Sequence, residues 1–324
     1  MNDTTLHSAC RDVSTDCDQA AIINQLETVR DYLRWGVSLM TRRGVYFGHG
    51  TDNAWDECLL LLQAALHWPQ PFEDPVLDAR LLRHERVRVL ELLERRVEQR
   101  IPLPYLTGEA HFAGLTFDID SRAIIPRSPV AELIESGFSP WYSGHGIGRV
   151  LDLCAGSGCI GIACALWLED CAVDLVDISA EVLALAEQNI ALHQVGSQVN
   201  TVRSDLFDAL PAGLYDVIVS NPPYVDQADM ASMPEEFHHE PVLALAAGED
   251  GLQLARRILF QAPDFLAEDG LLVLEVGNSA EALQAQYPEI PFTWVDLSRG
   301  GDGVLVAGAA ELRQWRGHFE PLSD

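Results

Sequence analysis

The apolar run Val217-Ile218-Val219-Ser220 stops at Asn221-Pro222-Pro223-Tyr224. Consecutive prolines lack the N–H donors that would carry a strand on, so they end it in a stiff loop. Asn221 brings a side-chain carbonyl, Pro222 a backbone carbonyl of limited freedom, and Tyr224 a flat ring. Two converging acceptors suit an –NH₂ group on a planar, conjugated carbon, with the ring stacked on that plane. Such a nitrogen is a poor nucleophile because its lone pair is delocalised. Acceptors on both hydrogens hold the lone pair toward an electrophile and favour partial pyramidalisation, and placement for in-line attack does much of the rest. Neither a covalent nucleophile nor a metal is required. Asn221, Pro222 and Tyr224 are the candidate catalytic residues, and Asn221, Pro222, Pro223 and Tyr224 the candidate acceptor-binding loop.

A second group precedes it. Leu151-Asp152-Leu153-Cys154-Ala155-Gly156-Ser157-Gly158 reads as the turn after the first strand of an α/β unit. Gly156 and Gly158 let backbone approach a ligand closely and open the next helix. A third glycine at dinucleotide spacing is missing, and so is the lysine of a phosphate loop. By itself such a loop is a tight turn that need bind nothing. The next strand, Val173-Asp174-Leu175-Val176, ends in Asp177, whose carboxylate suits both ribose hydroxyls of a nucleoside. Asp177 also fits the start of the following helix, beside Ser179 as cap. After the third strand, Asp205 and Leu206 suit an adenine edge and face. A glycine loop with two such acids and no phosphate chemistry fits S-adenosylmethionine better than NAD. Cys154, Ala155, Gly156, Ser157, Gly158, Asp177, Asp205, Leu206 and Asn221 are the cofactor-binding candidates.

The elements that must position these groups follow from periodicity. Helical spacing runs over Ile22 to Met40, Trp55 to Trp68 and Asp74 to Gln99, the last stopped by Pro102 and Pro104. The period then changes. His111 to Ile119 reads as a hairpin turning near Gly114, and Ile124 to Pro129 as a linker. From Arg149 strands alternate with helices: strands at 150–153, 172–176, 199–203, 215–220 and 270–276, helices at 160–168, 180–193 and 252–265. Alternation of this kind implies parallel β-α-β units in a Rossmann-like α/β sheet. The end differs, because 292–297 and 304–308 flank Gly300-Gly301-Asp302-Gly303 as an antiparallel hairpin. A mostly parallel sheet closed by such a hairpin is the plan of class I S-adenosylmethionine-dependent methyltransferases. The expected division is residues 1–120, an N-terminal helical substrate-docking domain with its hairpin linker, and 121–324, the methyltransferase domain.

Composition narrows the partners. The 324 residues are 48% hydrophobic, enough for two cored domains. The 21 basic residues, all arginine, face 49 acids, for a net charge of −28. Such a surface repels phosphate backbones and favours a basic protein. No run is long and apolar enough for a membrane helix, and Met1-Asn2-Asp3-Thr4 does not open a secretory leader. Cysteines at 154, 159, 164 and 171 lie in apolar segments, as reduced thiols do, so a cytoplasmic compartment is expected.

The Asn221-to-Tyr224 loop, taken with Leu151 to Gly158, resembles the amino methyltransferases with an Asn-Pro-Pro-Tyr motif. Tyr105-Leu106-Thr107-Gly108-Glu109, Phe112 to Phe117, Ile125-Pro126-Arg127, His239-Glu240-Pro241 and Ala247 to Leu252 resemble the HemK-type protein-glutamine methyltransferases over roughly residues 100–308. Release-factor enzymes of that type continue Pro-Arg with Pro and an acid-Thr-Glu run. Here Arg127-Ser128-Pro129-Val130-Ala131-Glu132 is similar instead to the branch that methylates large-subunit ribosomal protein three, as are Leu153 to Ile160 and Glu275 to Ser279. The resemblance implies N5-methylation of a glutamine side chain from S-adenosylmethionine. It implies that Asn221 and Pro222 hold the amide, that Tyr224 packs beside it, and that Phe112 helps cover the donor. For Arg127 three roles stay open: the hairpin, the cofactor's carboxylate, or a salt bridge to Glu132. The implied partner is free ribosomal protein three or an early assembly intermediate, without nucleic acid or membrane. The alternatives are a release-factor glutamine, an adenine or guanine amine of nucleic acid, or a binding module that kept the fold. A nucleic-acid enzyme needs a basic groove, which this composition does not supply.

Overall fold

The computed structural model describes residues 19–69, 71–210, 213–248 and 250–320. The N-terminal residues read above for a leader, and Glu249, lie outside them. Contacts divide the chain into two units, Met1–Thr107 and Gly108–Asp324.

The first unit is helical: Gln19–Gln25, Val29–Arg42, Ala54–Leu66, Asp74–Leu77, Arg83–Glu98 and Leu103–Thr107. Its apolar stripes meet in one core that includes Tyr32, Leu33, Met40, Cys58, Leu61, Leu62, Val89 and Leu93. Two helices expected as continuous are broken. Thr28 caps Val29–Arg42 in a capping box with Asp31. It also bridges to Arg80, with Leu81 N–H donating to Glu27 O at 2.8 Å. The paired segments satisfy each other's backbone groups, so helix gives way at both places.

The second unit opens with the hairpin β1 (Glu109–Phe112) and β2 (Leu115–Asp118), paired antiparallel. Ala113 and Gly114 at its tip have φ of 48° and 76°, which matches the right-handed twist of the strands. The hairpin belongs to this unit and not to the helical one, which corrects the expected boundary at residue 120. Its Phe112 and Phe117 are buried in the same core as Val150, Val173 and Val217.

The main sheet holds β3 (Arg149–Leu153), β4 (Ala172–Asp177), β5 (Val199–Arg203), β6 (Tyr215–Ser220), β7 (Leu266–Glu275), β8 (Thr293–Trp294) and β9 (Val304–Gly308). Their order is β5-β4-β3-β6-β7-β9-β8. Strands β3 to β7 run parallel, and β9 pairs antiparallel with β7 and β8. This is the class I methyltransferase arrangement. Successive side chains alternate between two cores, Val150, Val173 and Val217 on one face and Leu151, Leu153 and Ile218 on the other. Helices Cys159–Trp167, Ala180–Leu192 and Gln253–Gln261 follow the expected pattern; Gln227–Ser232, Ala280–Gln286 and Ala309–Trp315 are additional. No helix among the described residues is long and apolar enough to cross a membrane.

Candidate active site

Strand order reverses between β3 and β6, and open α/β sheets bind ligands at the carboxyl ends of the strands beside such a switch. Leu153 pairs with Ser220, so Cys154 and Asn221 leave the sheet as neighbours. Ser220 Oγ donates to Leu153 O at 2.8 Å and pins the two strand ends together. The cavity that opens here is about 580 Å³ and lies wholly within the second unit. Among its lining residues are Cys154, Gly156, Asp177, Asp205, Leu206, Asn221 and Pro223.

The glycine loop sits on Asp177. Ala155 N–H donates to Val176 O at 2.9 Å, and Gly156 N–H to Asp177 Oδ2 at 3.2 Å. The other oxygen, Oδ1, accepts from Ser179 N–H at 2.9 Å, while the Ser179 hydroxyl caps Val182 at 3.3 Å. Asp177 thus starts the helix and faces the cavity at once, as the sequence allowed. Burial raises its pKa above the usual carboxylate value, against the Ser179 and Gly156 backbone donors that lower it. Gly156 has φ of +58° with nothing within 4 Å of where a Cβ would stand, so bare backbone faces the cavity. Cys154 is held neutral, because burial pushes its thiol far up, and it is no nucleophile.

This lining fits S-adenosylmethionine. Asp177 supplies acceptors for a ribose diol, and Val176, Ile178, Leu206 and Leu254 supply apolar walls for a flat base. Both arginines of the lining are already engaged by carboxylates, Arg257 by Asp205 at 2.9 Å and Arg122 by Asp120 at 2.7 Å. The Asp205 carboxylate lies at the rim with Arg257 on it.

The Asn221 loop is braced from behind. Tyr224 stacks back over Gly277, where a Cβ would stand 2.5 Å from the ring, at a φ of +48°. Ser279 Oγ donates to Tyr224 O at 2.7 Å. Pro222 is buried, and Asn221 and Pro223 reach the cavity.

Of the expected residues, Ala155, Ser157, Gly158, Pro222 and Tyr224 stand behind the lining rather than in it, and Phe112 and Arg127 stand elsewhere. Phe112 is buried in the core against Phe117, with ring centroids 6.5 Å apart, and does not line the cavity. Arg127 does not pair with Glu132. It forms a bidentate pair with buried Glu240, at 2.6 and 2.8 Å, and Glu240 also accepts from Ile125 N–H at 3.0 Å. Glu132 instead holds Ser298 and Arg299, accepting from the backbone N–H groups at 3.0 and 3.1 Å. Arg127 therefore anchors the linker to the His239-Glu240-Pro241 segment.

Sequence reasoning includes Glu275 in the resemblance but gives it no role in the site. It ends β7, is 5% exposed, and accepts from Ser128 Oγ at 2.5 Å. Burial pushes its carboxyl up to about 7, opposed by Ser128 and Arg127. An acid at a strand's carboxyl end was the available signal, the same one that marks Asp177.

A family model described as the methyltransferase small domain matches residues 142–248, which span β3 to β6 and the Asn221 loop. A "Ribosomal protein uL3 glutamine methyltransferase" of Francisella tularensis subsp. tularensis is 49% identical over 303 residues, 93% of this chain and 96% of that protein. A protein of the same name from Bordetella pertussis is 46% identical over 289 residues, 89% of this chain and 97% of that one.

Proposed function

The chain belongs to the ribosomal protein uL3 glutamine methyltransferases, and on that basis we propose how its residues carry the reaction and which form of the substrate it meets. It is a protein-glutamine methyltransferase acting on uL3, and S-adenosylmethionine is its methyl donor. When bound, that donor supplies an electrophilic methyl group on a sulfonium centre. Cys154 to Gly158 and Asp177 hold it, with Leu206 against the base and Asp205 at its edge. Asn221 Oδ1 and the Pro222 carbonyl accept the two N–H groups of the substrate glutamine. The amide nitrogen is thereby aimed, its lone pair drawn partly out of conjugation, and Tyr224 and Pro223 close the plane beside it. The observation that carries this reading is the Asn221 loop beside the glycine loop, fixed by the Leu153–Ser220 register, above one cavity.

The substrate is free uL3 or an early assembly intermediate, and the reaction is cytoplasmic. Ribosomal proteins contact RNA and are basic, whereas this chain carries −28. Its field attracts uL3 while the basic surface is open; RNA in the mature particle covers that surface and repels the enzyme. The helical unit docks the protein substrate. Isotope-labelled methyl transfer, offered unmethylated free uL3, unmethylated ribosomes, a release factor and naked RNA in parallel, tests all of this. Free uL3 is labelled fastest, at a rate that falls as salt rises, because exposed charges are screened within about 10 Å at 0.1 M. Faster labelling of mature ribosomes defeats the electrostatic argument, and labelling of the release factor or RNA alone defeats the substrate assignment.

A further inference from the structure

Glu275 and Asn221 come from adjacent parallel strands. Ser220 pairs with Leu274, so the next residues, Asn221 and Glu275, emerge side by side. Several groups converge on the buried Glu275 carboxylate. Ser128 Oγ donates to Oε2 at 2.5 Å, and the Tyr224 hydroxyl stands 3.5 Å from Oε1. The Asn221 side chain, brought beside it by that register, and the Arg127 guanidinium both favour its charged form against burial. None of the steps above uses this carboxylate.

An asparagine amide has two ends of nearly equal shape and opposite polarity. With Nδ2 toward the substrate, Asn221 would set donors against the donors of the glutamine –NH₂. An ionised carboxylate only accepts hydrogen bonds. Beside it, Asn221 must turn Nδ2 toward Glu275, which leaves Oδ1 for the glutamine. We propose that Glu275, as an anion, is the positioning residue that fixes the Asn221 amide with its carbonyl toward the glutamine nitrogen. This rests on the role given to Asn221 above and deepens it. The Ser128 hydroxyl, in the segment where this chain departs from the release-factor pattern, serves the same anion. Protonated Glu275 becomes a donor itself, and the orientation is lost.

The titratable groups facing Glu275 are Arg127 on the linker, itself paired with Glu240, and Tyr224 on the loop. A guanidinium stays charged, and burial pushes the Tyr224 hydroxyl far up, so it stays protonated. Near neutrality the carboxyl of Glu275 is the member of this set that changes charge, with a pKa pushed up to about 7 by burial.

The test is a pH profile of kcat with the full chain and free uL3, together with the affinity for S-adenosylmethionine. Wild-type kcat rises as pH passes about 7, where Glu275 ionises. In Glu275→Gln kcat falls by about 10²-fold, the scale of a misplaced reacting group; the limb disappears, and cofactor affinity is kept. The double variant with Asn221→Ala is no slower than Asn221→Ala alone. Ser128→Ala removes a donor from the anion and moves the limb to higher pH; it decides the matter if Glu275→Gln does not fold. If Asn221→Ala turns over like wild type, the role of Asn221 fails and this proposal with it. If Asn221→Ala is impaired while Glu275→Gln keeps wild-type kcat and the limb, or Ser128→Ala leaves the limb in place, positioning by Glu275 alone is refuted.

Discussion

Asp177→Asn separates two jobs done by one side chain. The carboxylate accepts from Gly156 N–H at 3.2 Å and Ser179 N–H at 2.9 Å, one on each oxygen. An ionised carboxylate has about four acceptor positions, so about two remain for the ribose hydroxyls. Asparagine keeps one oxygen and turns an –NH₂ toward donors. One to two charge-assisted hydrogen bonds to the ligand are lost, each worth about 1.5–3 kcal/mol. With some compensation from the oxygen that stays, a net loss of about 2–3 kcal/mol is expected, or a Kd roughly 30- to 150-fold higher by calorimetry. Stability without ligand responds with the opposite sign of pH dependence. Burial raises the folded-state pKa of Asp177, so its stabilising share is complete below the ordinary carboxylate range and is lost as pH rises through the folded value. The variant has no charge to bury. Its melting temperature relative to wild type must therefore climb as pH rises from the ordinary carboxylate range through the folded-state value. Wild-type affinity in Asp177→Asn would show that this carboxylate does not hold the ribose. A stability difference indifferent to pH would show that burial is not what raises the pKa.

Three further outcomes are expected. Asn221→Ala keeps cofactor affinity and loses about 10²–10³-fold in turnover, as when one preorganised partner is removed; steady-state kinetics beside calorimetry checks both. Asn189, fully buried, accepts from Asp118 N–H at 2.7 Å and donates to Asp118 O at 3.0 Å and Ser157 O at 2.9 Å. Its replacement by alanine leaves these groups unpartnered and costs about 2–4 kcal/mol in chemical denaturation; a loss under about 0.5 kcal/mol contradicts the account. Residues 108–324, freed of the helical unit, bind S-adenosylmethionine but do not methylate uL3, and full activity of that fragment excludes docking by the helical unit.

Much of the second unit was legible because its signals are local. Strands β3 to β6 are short apolar runs bounded by turn residues, and a buried parallel strand needs nothing further to be seen. The Asn221 loop announces itself because two prolines cannot continue a ladder, whatever surrounds them. Asp177 and the glycine loop are legible for the same reason, since one strand-to-helix turn contains each. The breaks near Thr28 and Arg80 were not legible. Helical periodicity runs through both, and what overrides it is a bridge between segments far apart in the chain.

Side-chain partners divide along the same line. Residue types and spacing alone determined the fold class and the expected roles of the glycine loop, Asp177 and the Asn221 loop, because each depends on backbone constraints within a few residues. Only the tertiary structure decided that Phe112 belongs to the core, that Arg127 answers Glu240 rather than Glu132, and that Glu275 lies beside the Asn221 loop. Hydrogen bonds and ion pairs act over a few ångströms in space. Which residues come that close is set by strand order and register, and β6 meets β7 across a long stretch of intervening chain.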